Sequence, residues 1–310
     1  MIRALFDSTL LPDAPAPYHA LQVKAYYPAA PSGSERERMT GQIMADRTLA
    51  PLPVVIFLNG INIGIESYHW LALELAGAGF VTVLYTHIAE TLPGVIGLTP
   101  GIDLSKAQPE TYGNAPTCPA IAPILELLAR WNAQEGHPLH QMLDLERVAL
   151  GGHSAGGTVA LQSARFFPQI QAVFAYAGHT MASTLLGFPP GTVLPVSARR
   201  ILLMRGDRDG VIAASRARYG TDSARHDPVS ATFEAASAEE IWEVLLSGAN
   251  HFSIAHPVDE TSGRIFLDEE MTRPAAELRA QIASLILAFL QGREIQGEPG
   301  VMRHRMAHPR

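Results

Sequence analysis

RVALGGHSAGG, Arg147 to Gly157, is the stretch on which the fold turns. An apolar run, Val148-Ala149-Leu150, leads into Gly152-His153-Ser154-Ala155-Gly156. A helix-like run follows from Gly157, carrying Val159, Ala160, Leu161 and Ala164. This is a Gly-x-Ser-x-Gly turn between a strand and a helix. So sharp a turn leaves no room for a Cβ at either flank, so glycine is required at 152 and 156. The serine hydroxyl is then held out at the end of a sheet, with the first amides of the next helix aimed at it, as in a nucleophile elbow. In a chain with 26 glycines the pentapeptide is weak by itself. A glycine-rich turn with Ser154 as helix N-cap would match it too. The two readings part on whether an acid and a histidine follow in the right order.

Outward from this turn, apolar strand-like and helical runs alternate. HALQVKAYY (19–27) and VVIFL (54–58) read as strands, the second wholly apolar as a buried central strand should be. Residues 66–76 have helical spacing, FVTVLY (80–85) is a strand, and 119–132 is a helix. After the elbow come AVFAYA (172–177), ILLMR (201–205) and IWEVLL (241–246) as strands, and a closing helix over 274–291. The alternation predicts an α/β fold: a mostly parallel central sheet flanked by helices on both faces. No linker divides it, so 1–310 is read as one domain, with 1–18 an N-terminal extension and 292–310 a flexible tail. Segments 87–116, 180–198 and 222–238 carry no clear period; a long unpatterned loop in a compact domain is usually functional.

In an open α/β sheet the chemistry sits beyond the carboxyl ends of the strands. ILLMR is followed by Gly206-Asp207-Arg208-Asp209-Gly210, and Asp209 reaches further past the strand end than Asp207. IWEVLL is followed by Ser247-Gly248-Ala249-Asn250-His251-Phe252; His251 precedes the final helix, and His256 is the runner-up. The order Ser154, Asp209, His251 is that of a serine, acid and histidine set on this kind of sheet. Each residue type has its task. A histidine that titrates near neutrality takes the serine proton and returns it to the leaving group, while a carboxylate fixes its tautomer. A tetrahedral oxyanion needs two backbone donors, assigned to Ala155 and to Ile61 in the loop after VVIFL, with Asn62 as the alternative. His153, His179, Met181 and Phe252, with Asn62, are candidate pocket residues, although His153 reads more as packing beside the elbow.

With these motifs placed, the chain resembles the α/β-hydrolase superfamily, in its branch of dienelactone hydrolase-like esterases, chlorophyllases, platelet-activating-factor acetylhydrolases and cutinases. The residues that carry the resemblance are YYP (26–28), PVVIFLNG (53–60), GFVTVLY (79–85), RVALGGHSAGG (147–157), RGDRDGVI (205–212) and GANHF (248–252). It implies a serine hydrolase of carboxylic esters acting on small to medium, apolar substrates through an acyl-enzyme. Amide, thioester or lactone cleavage and acyl transfer on the same residues stay open, as does a non-catalytic ligand-binding role. Two departures stand out. Relatives commonly have His-Gly where this chain has Asn59-Gly60, and dienelactone hydrolase itself uses cysteine where Ser154 stands.

Composition narrows the classes. Hydrophobic residues make up 47% and charged residues 17%, and the net charge of −7 leaves no basic face for nucleic acid. Cys118 is the sole cysteine, so no intramolecular disulfide can form. No apolar stretch reaches membrane-spanning length, and the N-terminus does not read as a signal peptide. The expectation is a cytoplasmic protein. His304 and His308 are four apart but have no neighbouring ligands in sequence, so they read as tail rather than a metal site. No phosphate loop, dinucleotide fingerprint or metal set is present, and neither a cofactor nor a metal is expected. Oligomeric state is left open.

Overall fold

The computed structural model describes residues 1–92, 94–220, 227–295 and 302–307. Its frame is a nine-stranded sheet in the order β1-β2-β4-β3-β7-β8-β9-β10-β11. These are β1 (Ile2–Leu10), β2 (Ala20–Pro28), β3 (Leu52–Leu58), β4 (Val81–Thr86), β7 (Leu143–His153), β8 (Ile170–Tyr176), β9 (Ser197–Gly206), β10 (Ser237–Leu246) and β11 (Met302–Met306). From β4 to β10 every neighbouring pair is parallel; β1, β2 and β11 pair antiparallel at the two edges. A separate hairpin, β5 (Ile88–Leu92) with β6 (Val95–Leu98), stands off the sheet.

The central strands are continuous apolar runs because both of their faces are covered. Val54 to Leu58 and Val81 to Tyr85 are buried throughout. Helix α2 (His69–Gly77) packs on β2 and β4 and against α7 (Ala275–Leu290). Helix α4 (Ala155–Ser163) packs on β7, β8 and β3, and α3 (Ile121–Ala133) on β7 and β1. The remaining helices are short: α1 (Glu35–Thr40), α5 (Gly210–Ser215) and α6 (Pro228–Ala235). No helix among the described residues is long and apolar enough to cross a membrane. Strand order reverses at β3, which has β4 on one side and β7 on the other. The loops after β3 and β7 therefore open a crevice at their carboxyl ends, where ligands bind in such sheets.

Both chain ends differ from the sequence reading. The extension 1–18 contains β1, paired with β2 over its whole length from Ile2 opposite Pro28 to Leu10 opposite Ala20. The supposed flexible tail contains β11, paired with β10 from Glu240 opposite Met306 to Val244 opposite Met302. Residues 296–301 and 308–310 of that tail lie outside the described residues, His308 among them. His304 stacks on Trp242, with ring centroids 3.7 Å apart.

Charge holds β11 in place. Glu243 of β10 has a side chain only 2% exposed, and Arg303 pairs with it and with Glu234. Ser230 Oγ donates to the same carboxylate and Arg205 lies beside it. Arg303→Ala removes one partner of a buried charge but leaves two others, so a loss of about 2 kcal/mol is expected rather than the larger cost of a bare ion. Urea unfolding at constant slope measures it; an unchanged midpoint would show that β11 does not depend on this pair.

Candidate active site

Strand β7 ends at His153, and Ser154 then adopts φ 54° and ψ −122° before α4 begins at Ala155. Positive φ in a non-glycine residue is strained by roughly 1–3 kcal/mol. The strain is held by packing on both sides. A Cβ on Gly152 would lie 2.4 Å from the Gly156 carbonyl carbon, and one on Gly156 would lie 2.1 Å from the Leu58 oxygen. The Ser154 amide donates to Tyr176 O at 2.9 Å, and its carbonyl accepts from Thr158 N at 3.0 Å. Its side chain makes no capping bond to α4. The hydroxyl is therefore not engaged as a helix cap, and Ser154 lines a cavity. Gly156→Ala should cost about 3 kcal/mol, since β3 backbone cannot yield cheaply; thermal unfolding at parental temperature would refute the close approach.

That cavity, about 230 Å³, is lined by Ser154, Ala155 and Ile61 together with His251. Among the described residues the amides of Ile61 and Ala155 have no protein acceptor. Asn62 differs from expectation. Its amide donates to Leu98 O at 2.9 Å and its Oδ1 accepts from Leu98 N at 3.0 Å. It clamps the β5–β6 hairpin to the loop after β3, so its amide is not free and it does not line the cavity.

His251 Nδ1 and Asp209 Oδ2 are 2.8 Å apart, with side chains 4% and 5% exposed. Asp209 Oδ1 accepts from Ile212 N at 2.7 Å and so caps α5. A carboxylate can only accept, so Nδ1 carries the proton, and in the neutral ring Nε2 is the nitrogen with the lone pair. The other candidate acid, Asp207, accepts from Gly248 N at 2.8 Å and ties the loop after β9 to the loop after β10. His256 is exposed and lies off the cavity wall.

His153 and Phe252 are not cavity residues either. His153 is fully buried, with its Nδ1 2.8 Å from Tyr68 Oη and its Nε2 3.0 Å from the His251 carbonyl. A carbonyl only accepts, so Nε2–H donates to it, and Nδ1 accepts from the Tyr68 hydroxyl, which itself accepts from Gly60 N at 3.0 Å. Burial holds His153 neutral by lowering its pKa well below the usual histidine value. The chain of bonds joins the loop after β3, the elbow and the loop bearing His251. Phe252 is 6% exposed and packs edge-on against the His153 and His251 rings. Met181 and His179 do line the cavity. Burial pushes His179 down to about 4, so it is neutral at physiological pH, and its Nε2 is 3.0 Å from Tyr219 Oη.

The sequence offered no sign of Asp268. Its Oδ1 accepts from Gly210 N at 3.0 Å and its Oδ2 from Phe252 N at 3.2 Å, which ties the loops of Asp209 and His251 together. Burial raises its pKa above the usual carboxylate value. Asp268-Glu269-Glu270 reads in sequence as an acidic surface run, so only the fold reveals the first of the three as a clamp.

No family model matches the sequence, and no curated protein matches it. Among solved structures, the chain is similar to a ferulic acid esterase from Streptomyces cinnamoneus. Identity is 17%, the TM-score is 0.54, and the match covers 96% of this chain and 90% of that one. At this identity the likeness is one of fold, and it extends over nearly the whole length of both chains. In all, 847 solved chains match, so the architecture is widely shared and points to no single substrate.

Proposed function

We propose that the protein is a serine hydrolase of carboxylic esters built on the α/β-hydrolase fold. The observation that carries this reading is the buried His251–Asp209 pair, 2.8 Å apart, whose histidine lines the same small cavity as Ser154. Ser154 Oγ attacks the ester carbonyl while His251 Nε2 takes its proton. The amides of Ala155 and Ile61 bind the oxyanion, and Asp209 stabilises the imidazolium. The C–O bond to the alcohol breaks as His251 returns the proton to the leaving oxygen. Water, activated by His251 in turn, then attacks the acyl-serine and frees the acid. The likeness to an esterase in overall architecture agrees with this chemistry.

A fluorophosphonate probe tests the reading directly. It should label the native protein at a single site, and peptide mapping should find the adduct on Ser154. Absence of labelling, or labelling elsewhere, would overturn the proposal.

A further inference from the structure

Two arginines stand on the same cavity wall as Ser154 and His251: Arg218, in the turn after α5, and Arg264, in the loop that leads to α7. Arg218 is exposed and Arg264 half-buried. Arg264 Nη1 donates to Ser215 Oγ at 3.1 Å, and that hydroxyl donates onward to Val211 O at 2.8 Å. The side-chain hydrogen-bond partner of Arg264 is thus neutral and carries no charge to offset that of the guanidinium. Among the described residues neither guanidinium forms an ion pair. The acid whose charge reaches Arg264, Asp209, is already engaged by His251 Nδ1 and Ile212 N.

Such a pair is unfavourable as it stands. Burial and the like charge of Arg218 both lower the Arg264 pKa. This chain carries 30 acidic residues against 23 basic ones, and it supplies carboxylates to other arginines, Arg303 and Arg200 among them. Among the described residues it supplies none to these two. A guanidinium fork matches a carboxylate in geometry and charge.

We propose that Arg218 and Arg264 form an anion subsite, and that the preferred substrates are short esters carrying a second, ionised carboxylate. This rests on the ester-hydrolase reading above. The cavity of about 230 Å³ lies below the roughly 300–1,000 Å³ of sites for drug-sized ligands, which limits the chain between the two carbonyl groups to a few carbons. Met181, Leu186 and Leu194 supply apolar wall for that chain.

Monoethyl glutarate and ethyl pentanoate have acyl chains of equal length and differ in one terminal carboxylate. Ethanol release at low salt should give kcat/KM about tenfold or more higher for the glutarate ester, as a charge-assisted contact provides. In Arg218→Gln/Arg264→Gln the ratio should fall to about one, and Arg264→Lys, which keeps the charge, should retain most of it. Equal rates in the native protein, or a preference that survives the double substitution, would overturn the subsite. Glutarate dianion tests it without turnover: it should raise the melting temperature of the native protein and not that of the double variant, and no shift in either would also overturn it. Glutarate binding with no turnover of either ester and no labelling of Ser154 would count against the hydrolase reading and leave the subsite standing.

Discussion

Ser154→Ala should lower ester turnover by about 10⁶-fold while leaving the protein as stable as its parent. The first half follows from the chemistry. Removing the nucleophile of a coupled serine–histidine–acid set loses nearly all that the set provides, and only binding and oxyanion contacts remain. The second half follows from the geometry. The Ser154 side chain makes no capping bond to α4, and the backbone bonds to Tyr176 O and Thr158 N do not involve the side chain. Alanine occupies the same strained turn with the same Cβ, so stability should change by less than about 0.5 kcal/mol. A helix-capping serine predicts the reverse: a loss of about 1 kcal/mol and unaffected turnover. Hydrolysis of p-nitrophenyl acetate and thermal unfolding, measured on the same preparation, separate the two.

The contrast between those readings also shows what was legible in the sequence. The central strands are readable because burial on both faces forces unbroken apolar runs: VVIFL falls inside β3, and FVTVLY, apart from Phe80, inside β4. The juxtaposition of Asp209 and His251 was anticipated from their places after β9 and β10, since neighbouring parallel strands deliver their following loops to one edge. Edge strand β11 was not readable. MRHRM has no continuous apolar face: Arg303 and Arg305 alternate with Met302, His304 and an exposed Met306, and ion pairs and a Trp242–His304 stack hold it, with Met302 alone packed against the core. The β5–β6 hairpin escaped for a related reason: Val95 and Ile96 are exposed, so no alternation marks it. Helix α6, inside the segment read as unpatterned, did carry a signal in Asp227-Pro228, a side-chain cap followed by proline in the first turn. Asn62, His153 and Phe252 look like pocket residues in sequence because they neighbour site residues there. Strand and turn geometry point adjacent side chains in different directions, and all three turn away into packing or hairpin contacts.

Asp209→Asn should cost about 10⁴-fold in turnover at almost no cost in stability, and the reason is a single proton. The Asp209 carboxylate has two tasks: Oδ1 accepts from Ile212 N, and Oδ2 accepts from His251 Nδ1. An asparagine can keep the first, with its Oδ1 still capping α5, but it then presents an NH₂ group to His251. Nδ1 must accept from that amide, so the neutral imidazole carries its proton on Nε2. The nitrogen that should take the Ser154 proton then has no lone pair for it, the loss of function expected for a wrong tautomer. Asp268 cannot substitute, because its two oxygens are engaged by Gly210 N and Phe252 N. Asp209→Ala removes the cap as well, so it should lose about 1 kcal/mol of stability that the asparagine variant keeps. Turnover and urea midpoints of both variants check the argument. An asparagine variant within tenfold of parental turnover would show that Asp209 does not set the tautomer of His251.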